Sequence, residues 1–118
     1  MLALAEPGRK KELQSKYSER EIIGGVYLVR NTLNNKLLIE ATTDMNGSKN
    51  RFDFAKQTGS CVYVKLQKDW DAQGSGDFVF EVLEELKKSD AQTGAAFKAD
   101  VELLKEIWLE KFSNESHY

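Results

Sequence analysis

The chain is 118 residues long, 41% hydrophobic and 31% charged, with a formal net charge of −2. That is enough for one domain with one core; the composition excludes wholesale disorder, and no apolar run approaches the ~20 residues of a membrane-spanning helix. One cysteine and one histidine exclude an internal disulfide and a four-ligand zinc cluster, and the acidic balance speaks against strong non-specific binding to nucleic acid.

In chain order, Met1 to Ala5 is apolar but short and lacks a charged segment before it, so no secretory signal is expected and a cytoplasmic location is the default. Beyond Pro7-Gly8, the polar stretch Arg9 to Arg20 has Leu13 and Tyr17 four residues apart, which predicts an amphipathic helix in an N-terminal extension of residues 1–21. Ile22 to Arg30 and Lys36 to Thr42 are rich in β-branched and aromatic or aliphatic residues and read as strands. Asn31 to Asn35 is the turn between them, and Asn34-Asn35 suits the positive φ of a tight hairpin.

Lys49 to Thr58 and Cys61 to Gln73 have helical spacing, with Phe52, Ala55, Val62, Leu66 and Trp70 facing inward and Gly59 and Gly74-Ser75-Gly76 ending the helices. Asp77 to Leu86 alternates through Phe78, Phe80 and Val82 as a third strand, and its period breaks at Leu83. Ala95 to Phe112 carries Phe97, Val101, Leu104, Trp108 and Phe112 as one stripe, with Glu102, Glu106 and Glu110 on a neighbouring arc. Residues 113–118 are expected to be a flexible tail. The order predicts an α+β domain over residues 22–112: a small three-stranded antiparallel sheet flanked by helices, with an N-terminal helix before it.

Charge is uneven along the chain, with local balances of +2 for residues 1–30, +1 for 31–76 and −5 for 77–118. Only the front half could offer a basic patch to phosphates.

Gly25-Val26-Tyr27-Leu28-Val29-Arg30-Asn31-Thr32, followed in order by Leu66-Gln67-Lys68-Asp69-Trp70, Phe78-Val79-Phe80-Glu81-Val82-Leu83-Glu84 and Trp108-Leu109-Glu110-Lys111-Phe112, resembles the GIY-YIG nuclease domain over residues 23–112. The resemblance implies phosphodiester hydrolysis by tyrosine hydroxyls near a water, an arginine on the phosphate, a nearby histidine, and a glutamate binding one divalent metal, Mg or Mn. Tyr27 matches the first tyrosine, although a strand tyrosine is equally at home as a half-buried aromatic with a wet hydroxyl. Leu38 stands at the second tyrosine and Glu40 at the glycine after it, which leaves Tyr27 a lone phenol. The arginine spacing lands on Ser48, and Arg51 follows one helical turn later on the same face. The histidine has no counterpart. The metal position falls on Lys105, or on Glu106 if the register shifts by one, and an ammonium cannot ligate a cation. Arg30 and Lys49 are the cations assigned to the substrate.

These matches imply a GIY-YIG-type domain with impaired or absent cleavage and weak nucleic-acid contact. The alternatives are an active divergent endonuclease using Tyr27, Arg51 and Glu106, or a module that meets a protein partner through its acidic last helix or basic N-terminal helix. A membrane partner is not expected. Cys61 with His117 admits a thiol nucleophile if Cys61 opens a helix, but an isolated cysteine ordinarily serves packing.

Overall fold

The structure, a computed structural model, describes residues 21–118, so the helix expected over Arg9 to Arg20 lies outside the described residues. Six elements follow: β1 (Ile23–Asn31), β2 (Leu37–Thr42), α1 (Met45–Thr58), α2 (Gln67–Gln73), β3 (Phe78–Lys87) and α3 (Gly94–Lys111). The sheet order is β2-β1-β3 with both pairings antiparallel. This is the expected α+β architecture of a three-stranded sheet flanked by helices.

β1 is the central strand and is covered on both faces, which explains why Val26 to Val29 is apolar throughout and does not alternate. The pleat of the strand divides the core. Tyr27 and Val29, with Leu38, pack on one face against Met45, Phe52 and Ala55 of α1 and against Leu66, Trp70 and Phe78. Val26, Leu28, Leu37 and Ile39 lie on the other face, under Leu104, Trp108 and Leu109 of α3 and Phe112. The hairpin turns at Asn35, whose φ of 60° is the positive value its sequence suggested.

Four boundaries differ from expectation. α1 begins at Met45, a turn before Lys49, because the Asp44 carboxylate accepts from Gly47 N at 3.0 Å and caps the helix. The segment expected to be helical from Cys61 stays irregular through Tyr63, passes through a 3-10 turn at Val64–Leu66, and becomes α-helical only at Gln67. Val62, expected to face inward, is therefore 50% exposed. In β3, Val26 pairs with Glu84 and Tyr27 with Val82, so Leu83 is the extra residue of a β-bulge and joins the α3 face. That bulge is the physical cause of the broken period.

The fourth difference is the tail. Leu37 N donates to Ser116 O and Tyr118 N to Leu37 O, both at 2.9 Å, forming a parallel bridge beside the edge of β2. The Tyr118 hydroxyl accepts from Asn31 Nδ2 at 2.8 Å and donates to Asp69 at 2.7 Å. Residues 113–118 thus form part of the packed fold. Among the described residues, no helix is long and apolar enough to cross a membrane.

Candidate active site

The register puts Tyr27 opposite Glu40 on β2 and opposite Val82 on β3, all on the face covered by α1. The Tyr27 ring is 5% exposed and stacks on Phe80, with centroids 4.4 Å apart. Its hydroxyl lies 3.2 Å from that of Tyr63. The irregular stretch after α1 therefore supplies a second phenol where Leu38 offers none, and Tyr27 is not alone on the sheet. The Cys61 thiol, 3.2 Å from Tyr63 O and 3.4 Å from Tyr63 N, braces the Tyr63 backbone.

α1 brings the next groups. Ser48 is buried, donates from Oγ to Thr42 Oγ1 at 2.7 Å, and bonds the Tyr27 phenol. Arg51, one turn on, donates from Nη2 to Ser48 Oγ at 3.2 Å. The arginine spacing that lands on Ser48 and the real arginine three residues later thus converge on one spot. The rest of the guanidinium reaches solvent, since Arg51 is exposed overall.

Burial pushes the Tyr27 phenol up and, in Tyr63, burial and the bond to Tyr27 push further. Arg51 pulls both down and Glu40 pushes both up, but burial dominates. Both phenols therefore stay protonated at neutral pH and act as hydrogen-bond donors. At alkaline pH the sign is fixed: the folded phenols keep protons that the unfolded chain releases near the ordinary value of 10.0. Their contribution to stability is fully present below that value and is lost as pH rises through the folded pKa values. Unfolding free energies measured across this range should fall with pH, and Tyr63→Phe should flatten the fall.

The other expected site residues lie elsewhere. Arg30 points to the α3 face, where its Nε meets Glu81 at 3.0 Å and its Nη1 meets Glu115 at 3.9 Å. The pleat places it across the sheet from Tyr27, so the substrate role assigned to it finds no support here. Lys49 is exposed on α1 and makes no ion pair among the described residues. Glu106 is exposed on α3, whose inner side covers the opposite face. The residue that α3 does deliver to the sheet edge is Lys105, with Nζ 3.6 Å from Glu40 Oε2.

The divalent metal implied by the resemblance meets a poor donor set. Among the described residues no three of His, Cys, Asp or Glu converge. The one carboxylate opposite Tyr27 faces an ammonium, which occupies the place of a cation without being able to share its ligands. Cys61 does not open a helix, and burial pushes its thiol up, the reverse of an activated nucleophile. His117 is bound instead to Phe112 O at 2.8 Å.

Sequence reasoning missed Tyr63. Its signal is the alternation in Val62-Tyr63-Val64, which favours extended backbone over helix. It also missed the Lys105–Glu40 pair, which joins residues far apart in the chain and has no local signature.

The chain is similar to two solved structures. One is an alanine point mutant of the catalytic domain of intron endonuclease I-TevI, at 23% identity over 78% of this chain and 86% of that one, with a TM-score of 0.56. The other is the catalytic domain of homing endonuclease I-TevI, at 22% identity over 76% of this chain and 88% of that one, with a TM-score of 0.53. The likeness establishes a GIY-YIG-like fold. No family model and no curated protein matches the sequence.

Proposed function

We propose that this domain binds nucleic-acid strands through a backbone phosphate, with cleavage impaired or absent. The observation that carries this is the contact of Lys105 with Glu40. It offsets the one carboxylate opposite Tyr27, so that Arg51 remains as an unbalanced cation beside the two phenols. A phosphodiester oxygen could then take a charge-assisted bond from Arg51 and a neutral one from a phenol. The same contact withholds Glu40 from a metal, and Glu106 faces away on α3.

Binding through so few cations is weak and salt-sensitive. In dilute salt, fluorescence anisotropy with labelled single-stranded and duplex DNA should show weak binding, and Arg51→Ala should raise Kd about tenfold, or ~1.4 kcal/mol. Incubation of the same DNA with Mg or Mn should give no products on a gel. Metal-dependent cutting removed by Tyr27→Phe would overturn the impaired reading in favour of an active divergent endonuclease. No DNA affinity even in dilute salt would leave a protein-interaction module.

A further inference from the structure

Beside the site just described, a cleft of about 380 Å³ runs along the edge of β2. Its size falls within the ~300–1,000 Å³ of small-ligand sites. Leu38 of β2 and Leu109 of α3 give it an apolar side, and Lys65, Lys105 and Glu40 a charged one. Lys65 comes from the 3-10 turn that follows Tyr63, is exposed, and has no ion pair among the described residues. The second ammonium, Lys105, shares the cleft with Glu40. Two ammoniums against one carboxylate leave one positive charge over, on a chain whose formal net charge is −2.

An apolar wall next to an excess cation suits a ligand that is itself half apolar and half anionic. We infer that this cleft holds one nucleotide unit, with its phosphate on Lys65 and Lys105 and its sugar or base against Leu38 and Leu109. Glu40 lies both in the cleft and opposite Tyr27, so the two sites adjoin. The unit is either a free nucleotide or the neighbour of the phosphate held at Arg51. The second case rests on the function proposed above; the first does not.

The test uses two-dimensional amide NMR in dilute salt, with deoxyadenosine monophosphate, deoxyadenosine, inorganic phosphate and a short single strand as probes. Leu38 to Glu40, Lys65, Lys105 and Leu109 should shift with the monophosphate, less with inorganic phosphate, and not with the nucleoside. The double variant Lys65→Met/Lys105→Met should lose about tenfold in affinity while keeping its circular dichroism, since a charge-assisted contact is worth ~1.5–3 kcal/mol. Shifts at these residues with the strand alone identify a strand subsite; shifts with the mononucleotide identify a nucleotide site. If neither moves them, or if the double variant binds as the wild type does, the inference falls. A strand held through Arg51 with the cleft unmoved overturns this inference alone. A mononucleotide held in the cleft while no strand binds overturns the proposed function alone.

Discussion

Gly25→Ala is expected to cost about 3–5 kcal/mol, a large share of the stability of a domain this size. Gly25 has a φ of 141°, which L side chains rarely adopt, and it sits where the bulged part of β3 crosses closest to β1. An added Cβ would lie inside the van der Waals envelope of the Glu84 carbonyl oxygen and 2.9 Å from Glu85 Cα. Both obstacles are backbone of a paired strand, so no rotamer change relieves them. Urea unfolding should therefore show a sharply lowered midpoint, or no folded baseline at all. Gly76→Ala is the control, because nothing lies within 4 Å of its added carbon. An unchanged midpoint for Gly25→Ala would mean that the β1–β3 register is wrong. The glycine beside Tyr27 thus has a reason in chain geometry that is independent of phosphate chemistry.

Trp70→Ala should cost a comparable ~3–5 kcal/mol, the usual range for removing a buried aromatic. Trp70 is 2% exposed, stacks on Phe78 at 4.8 Å, and meets Phe52 edge-on at 6.2 Å. Its Nε1 also donates to Gly59 O at 3.1 Å, which pins the start of the segment leading to Tyr63. The loss should therefore reach the site: even where the variant folds, the two phenols lose a fixed separation. Trp70→Phe keeps most of the packing and gives up the hydrogen bond, so it should cost nearer ~1 kcal/mol. Chemical unfolding of the two variants separates the terms, and equal losses would assign the effect to the hydrogen bond alone.

The elements that sequence exposed are those whose signals are local. The stripe from Phe97 to Phe112 fixes α3, and the polar Asn31 to Asn35 turn between two apolar runs fixes the hairpin. Gly59 ends α1 with a φ of 76°, as a helix-terminating glycine should. Tyr27 and Arg51 were legible through resemblance and helical spacing, and the structure does bring them near one another through Ser48.

What stayed hidden depends on contacts between distant residues. The pairing of Leu37 with the tail, the reach of Lys105 to Glu40 and the approach of Tyr63 to Tyr27 leave no periodic trace. Arg30 was misjudged for a simpler reason. Strand alternation puts it on the face away from Tyr27, and that parity could have been counted from the sequence itself.

The supernumerary residue in β3 also bears on which length changes the chain can absorb. Phe78 and Phe80 serve one layer of the protein and Leu83 the other, and the switch between them depends on that single added position. Losing one residue there would exchange the layers for everything downstream in the strand. A residue gained or lost in the largely exposed Lys88 to Gln92 connection only lengthens or shortens a surface link. Drift in chain length should accordingly gather at that connection and spare the strand before it.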